Sequence, residues 1–340
     1  MTVLTKRKVK RFLLLFFLTL LVMIFLYQIV DFFSKIPDFL KEKSPPQYIF
    51  LYYLTTSPSL MIKLYPLIIL IALSLLLGEM EEKKEILTLY TSGISTWRWS
   101  YSLVISTFFI TLLLSSLTLL YLPSLETLSF RLWKGKIQKK ADIWEMQEEK
   151  KGIAGKNGEV IFIYRLSTKE GKIEGVEVIF PKLQERWVVE EGKWKNGKWI
   201  LKNIIIRDLT TGKEREINLK TVDFLPSPLE LWKMDKPISL WTLKELKNGK
   251  EKIHQAEFLH RILFPWGGMI IILFSLPLLS RSLSSKGYHI LHTFYSGMGF
   301  YATYYATRSM VERGILPAYL SFTVFLSFWI SLIIISWIKK

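Results

Sequence analysis

Four histidines, a glycine- and lysine-rich run and a short acidic cluster are the places where this sequence has the residue types for chemistry. His289 and His292 are three apart, the spacing that brings two imidazoles to one helical face. A metal site needs further ligands; the chain has no cysteine, no acidic cluster stands close by, and His254 and His260 lie elsewhere in the sequence. Gly192-Lys-Trp-Lys-Asn-Gly197-Lys198 has the spacing of a phosphate-binding loop. However, Trp199 occupies the position where a hydroxyl would hold magnesium. Asn196-Gly197 reads better as a tight hairpin turn. There is no His-Glu-x-x-His, no Gly-x-Ser-x-Gly and no nucleophile paired with a base. The expectation is a chain with no catalytic residues, no metal and no cofactor.

The acidic cluster is more informative. Glu81, Glu82 and Glu85 precede Ile86, Leu89 and Tyr90, which fall at i, i+3 and i+4 and so share one helical face. Gly93 is a natural helix stop, and Ser95 or Thr96 can cap the next helix. The predicted element is a short amphipathic helix over about 79–93. The plainer alternative is a reversed connection lying against lipid headgroups.

The elements that position this segment are apolar runs of membrane-spanning length. They cover 12–33, 60–77, 101–122, 258–279, 289–307 and 316–338. Asp31, Lys63 and Arg261 are charges within them, and Arg261 sits near an end, where a long side chain can snorkel. Residues 34–59 are expected to link the first two spans, with Pro45-Pro46 breaking any helix. The fold class is a membrane α-helical protein with six transmembrane helices, three and three, and one large inserted domain. The predicted divisions are 1–123, 124–257 and 258–340. Lys6, Arg7, Lys8, Lys10 and Arg11 before the first run, with the bases at 83, 84, 98, 281, 286, 339 and 340, outnumber those on the opposite flanks. Both termini are therefore expected in the cytoplasm and the insert outside it. The first run exceeds a signal-peptide core and has no small-x-small site after it, so it reads as a retained span.

The net charge of +17 comes largely from membrane-flanking clusters, and the insert carries mixed charge without a basic aromatic stripe. Nucleic acid is not an expected partner. The runs hold no good mid-span carboxylate of the kind an ion-coupled carrier uses. Any transport energy is expected from another subunit, acting on a partly apolar cargo.

The insert reads as β. Val160-Ile-Phe-Ile-Tyr164, the alternating Val176 and Val178, the pair Trp187 and Val189, and Trp199 to Ile206 are strand-like. Asn157-Gly158, Gly171, Glu191-Gly192, Asn196-Gly197 and Thr211-Gly212 look like turns between them. An extracytoplasmic antiparallel sandwich or β-jelly-roll follows.

Taken in order, these features resemble the LptF/LptG permeases of the lipopolysaccharide export ABC transporter. Local matches are Glu85-Ile-Leu-Thr-Leu-Tyr-Thr-Ser-Gly93-Ile-Ser, Leu122-Pro123, the stretch 151–164, Trp199-Ile-Leu, Pro237-Ile-Ser-Leu-Trp-Thr-Leu243 and His260-Arg-Ile-Leu-Phe-Pro265. The first jelly-roll strands are slightly more similar to LptG, and the chain stops two residues after its last run. The resemblance implies a permease that pairs with a second permease of the same family. Driven by a cytoplasmic ATPase dimer, it would extract lipopolysaccharide from the outer leaflet of the inner membrane and pass it to periplasmic bridge proteins. It further implies that the segment with Glu81, Glu82, Glu85, Ile86, Leu89, Tyr90 and Gly93 is the coupling helix. Lys35, Lys41 and Lys63 are candidates for the lipid phosphates at the outer rim. A membrane-anchored scaffold whose β domain binds a partner without transport is the competing reading; it predicts that Glu85→Lys is harmless. An integral-membrane lipid enzyme would need a polar cluster that the sequence does not supply.

Overall fold

The computed structural model describes residues 3–138, 151–154, 158–167, 171–228, 231, 237–249, 252–281 and 286–338. The chain divides into two compact units. One comprises Met1–Leu132 with Ile238–Lys340, and the other Trp133–Pro237.

The first unit is helical. In chain order it holds α1 (Val3–Lys41), α2 (Pro46–Glu82), α3 (Glu85–Thr91), α4 (Thr96–Leu120) and α5 (Leu122–Arg131). After the insert come α6 (Leu243–Asn248), α7 (Lys252–Leu263), α8 (Gly267–Arg281), α9 (Lys286–Glu312) and α10 (Ala318–Ile338). Among the described residues, five helices are long and apolar enough to cross a membrane: 6–41, 46–82, 96–120, 252–280 and 318–338. The sixth predicted run, 289–307, lies in α9, which has 27 residues and is less apolar. The predicted link over 34–59 shrinks to a few residues, because α1 continues to Lys41 and α2 starts at Pro46. Proline is at home in a first turn, where its missing N–H leaves no bond unmade.

Two apolar clusters hold these helices together. Phe12 and Phe16 of α1, Leu73 of α2, Ile86 and Leu89 of α3, Leu103 of α4 and Leu276 of α8 form one. Leu70 of α2, Ile271 of α8, Phe300 and Tyr304 of α9, and Phe325 and Trp329 of α10 belong to the other. α2 and α8 contribute to both, so they form the spine. α1 and α9 are instead strongly exposed: Phe17, Leu21 and Phe25 on one, Ile290, Phe294 and Met298 on the other.

The second unit contains an inserted antiparallel β domain. β1 (Lys151–Ala154), β2 (Val160–Ser167), β3 (Lys172–Phe180), β4 (Glu185–Lys195), β5 (Lys198–Asp208) and β6 (Glu214–Val222) form one sheet in sequence order. Each neighbouring pair is antiparallel. Asn196 and Gly197, both with positive φ, make the β4–β5 turn as expected.

The sheet has a crease. Inward residues step by two with one step of three on each strand: Ile161, Ile163, Leu166 on β2; Ile173, Val176, Val178 on β3; Trp199, Leu201, Ile204, Ile206 on β5. A regular strand would send everything beyond the skip to the opposite face. Pairing lapses along a line through Tyr164, Gly175, Glu190, Asn203 and Asn218, while the register stays constant on both sides. Gly175 (φ 63°) and Asn203 (φ 52°) take the left-handed conformation there. The kink turns each strand so that both halves face one shared core. One sheet thereby supplies two inward-facing leaves, which is how a meander meets the expectation of a layered β domain. Glu191-Gly192, predicted as a turn, lies inside β4 at this crease. Its turn-like composition reflects the bend, and Gly192 is small because Ile173 and Leu201 crowd it. Asn157 lies outside the described residues.

Candidate coupling segment and interhelical polar cluster

The acidic cluster and its amphipathic partner are not one helix. Glu81 and Glu82 end α2, whereas Glu85 opens the seven-residue α3. Between them Lys84 adopts the left-handed conformation (φ 56°), which breaks the helix and turns the chain. α3 stops where expected. Gly93 is left-handed (φ 70°), and the amides of Gly93 and Ile94 close back on the carbonyls of Tyr90 and Leu89 at 2.9 and 3.0 Å. Ser95 then caps α4 by accepting from the Arg98 amide.

The predicted face of α3 points into the protein. Ile86 and Leu89 are buried against α2, in the apolar cluster to which α1, α4 and α8 also contribute. The Tyr90 hydroxyl donates to the Ser280 carbonyl of α8 at 3.1 Å and meets Thr96 Oγ1 at 3.0 Å. Glu81 is also held inward, with its carboxylate 2.6 Å from His289 Nε2 of α9. Glu82 is exposed and Glu85 half-buried. The outward face is therefore Leu87, Thr88 and Thr91, with Ser92 and Gly93 beyond it. Sequence pattern identified the buried stripe; the outward face was its complement.

The three lysines proposed for phosphate contact differ in setting. Lys35 donates to both Asp31 oxygens at 2.8 and 2.7 Å and to the Tyr52 hydroxyl at 2.9 Å. Its charge is thus offset by its own helix. Lys41 and Lys63 are exposed.

A polar cluster missed by sequence reasoning lies near Lys63. Arg261 does not snorkel: it is 2% exposed. Its guanidinium donates to Glu257 Oε1 at 2.9 Å and to the carbonyls of Ser239 and Trp241. Arg308 of α9 donates to Glu257 Oε2 at 2.9 Å and to Glu312 at 2.7 Å. A planar five-donor group suits such a many-partnered clasp, and burial is tolerated because the charge is matched. The clasp fixes residues 238–241, where the chain returns from the insert. Glu126 of α5 accepts from Ser59 at 2.9 Å, and burial pushes its carboxyl above the usual range against the pull of Lys63 and Arg261. The signal in the sequence was the i, i+4 spacing of Glu257 with Arg261 and of Arg308 with Glu312.

Among the described residues no group of three or more His, Asp or Glu side chains is arranged to hold a metal. His292 stacks on Phe274 and Tyr288, and His260 meets the Tyr304 hydroxyl at 2.9 Å, so these imidazoles are packing groups.

Residues 9–339 match the family described as lipopolysaccharide export system permease LptF/LptG. The chain belongs to this family. No curated protein matches it. As an LptF/LptG permease it is a multi-pass inner-membrane protein of the lipopolysaccharide export system. The family is a transport family, and its other components act with the permease in that system.

Proposed function

We propose that this chain is one permease half of an ATP-driven exporter that lifts lipopolysaccharide out of the outer leaflet of the inner membrane. Both termini and α3 lie in the cytoplasm, and the β unit lies in the periplasm. A cytoplasmic ATPase dimer docks on α3, a second LptF/LptG permease completes the cavity, and periplasmic bridge proteins receive the lipid from the β unit.

The observation that carries this reading is the mounting of α3. It is a short helix with an outward face of Leu87, Thr88 and Thr91. Its inner face packs on α2 within the apolar cluster shared with α1, α4 and α8, and Tyr90 bonds to α8. A push on a helix so anchored is passed to several spans together. Acyl chains need an apolar wall, and the exposed faces of α1 and α9 offer one. Lys41 and Lys63 are the better phosphate candidates, since Lys35 already holds Asp31.

The test is gentle detergent extraction of the tagged chain with mass spectrometry of what co-purifies. Recovery of a cytoplasmic ATPase and a second LptF/LptG chain supports the proposal. Recovery of the chain alone, under conditions that keep other transporters whole, favours the scaffold reading.

A further inference from the structure

The start of α1, the end of α2 and the start of α3 surround a pocket of about 350 Å³. Five cations line it: Arg7, Lys8, Lys10, Arg11 and Lys83. Two carboxylates oppose them, and one, Glu79, is held by Arg11 at 2.9 Å. The excess is positive. Lys8 is not a loose surface lysine. It is 5% exposed, and its ammonium lies 5.0 Å from the centre of the Trp99 ring of α4. A long basic chain held this way has paid its ordering entropy before any ligand arrives.

The other wall is apolar. Leu14 is exposed there on α1, with the buried Leu76 and Met80 of α2 behind it, and both helices are long and apolar enough to cross a membrane. A cationic cluster beside an apolar wall, at the end of two spans, matches a molecule with a phosphate above acyl chains. A free phosphate would use the cations and leave the wall unused.

We propose that this pocket binds the headgroup of an anionic phospholipid from the leaflet on the N-terminal side of the membrane. The phosphate lies among Lys8, Lys10 and Lys83, and the upper acyl chains lie along Leu14 and the exposed apolar face of α1 that continues through Leu18 and Leu21. Glu85, the first residue of α3, also lines the pocket. Occupancy therefore braces the root of α3 against α1 and α2. Its effect on coupling rests on the function proposed above, whereas the binding itself does not.

The experiment uses the full-length chain in nanodiscs of mixed phosphatidylglycerol and phosphatidylcholine, followed by stepwise delipidation and native mass spectrometry. Phosphatidylglycerol should be retained after phosphatidylcholine is lost, and excess inorganic phosphate should not displace it. K10Q and K83Q, both at exposed positions, should each lower retention about fivefold, while the charge-matched K198Q at the start of β5 should not. K8Q should act more strongly, with thermal unfolding run alongside to separate lost binding from lost folding. Equal retention of the two lipids, or equal effects of K83Q and K198Q, overturns the proposal. So does displacement by inorganic phosphate, which would mark a simple anion site. Crosslinking of residue 10 to the ATPase, with no lipid retained, would assign the basic cluster to a protein partner instead. Because retention is read on the chain alone, it stands or falls independently of whether α3 couples to an ATPase.

Discussion

The carboxylate of Glu81 meets the imidazole of His289 at 2.6 Å, tying the last turn of α2 to the first turn of α9. The pair spans 208 positions of sequence and bridges the two groups of spans. An acid that composition marked for an external partner thus has an internal one. Glu81→Gln and His289→Ala should each lower the apparent melting temperature, and the double variant should be no worse than the weaker single. A double-mutant cycle on thermal unfolding should give a coupling of about 1–2 kcal/mol. Additive losses would show that the contact carries no energy.

The two faces of α3 should respond differently to charge. Ile86→Asp puts a carboxylate into the apolar cluster around α1, α2 and α4 and should destabilise the chain by about 3 kcal/mol or more. Leu87→Asp, on the outward face, should leave the stability within about 0.5 kcal/mol of the parent yet remove lipid-stimulated ATP turnover in the reconstituted complex. The pair of melting curves and turnover rates checks both halves of the statement.

Arg261 should be intolerant of its nearest chemical relative. Arg261→Lys keeps the charge but cannot reach Glu257 and the carbonyls of Ser239 and Trp241 together. A loss of about 3 kcal/mol is expected for Arg261→Ala and more than half of it for Arg261→Lys. Thermal unfolding in detergent measures both.

Glu126 gives a pH dependence of known sign. Burial raises its folded-state pKa, with Glu257 adding to the rise and Ser59, Lys63 and Arg261 opposing it. A carboxyl raised in this way contributes stability that is fully present below its unfolded pKa. That stability is lost as pH rises through the folded value. Glu126→Gln keeps an acceptor for the Ser59 hydroxyl and has no charge to bury. It should match the parent at about pH 4 and melt higher than the parent at about pH 8. A larger gain in acid than in alkali would reverse the assignment.

The crease of the β unit depends on backbone that β-branched residues avoid. A Cβ at Gly175 would lie 3.2 Å from the Tyr164 ring and Cβ, at φ 63°. Gly175→Val should cost about 2–3 kcal/mol, and Asn203→Gly should be neutral or better. Circular dichroism melts of the purified chain distinguish the two.

Much of this architecture was legible because bilayer and sheet impose simple periods. Unbroken apolar runs marked the spans, and Asn196-Gly197 marked its hairpin. The crease was harder to see. Its signal is a single step of three among steps of two, as in Ile173, Val176 and Val178, which no single strand distinguishes from noise. Four neighbouring strands repeat it, and only pairing brings the skips into line. Ile86, Leu89 and Tyr90 were found by helical spacing, but spacing cannot tell an inward face from a docking face; burial does. Arg261 looked like a snorkelling residue because its carbonyl partners, at Ser239 and Trp241, come from a connector with no pattern of its own. His289 and Glu81 could not be paired from sequence, since nothing local links α2 to α9.

The central claim is that energy enters through the outward face of α3, and site-specific photocrosslinking in cells tests it most directly. A photoreactive residue at Leu87, Thr88 or Thr91 should crosslink to a cytoplasmic ATPase, whereas one at Ile86 or Leu89 should yield only contacts within the chain. Crosslinks from neither face, or to a periplasmic protein, would contradict the account.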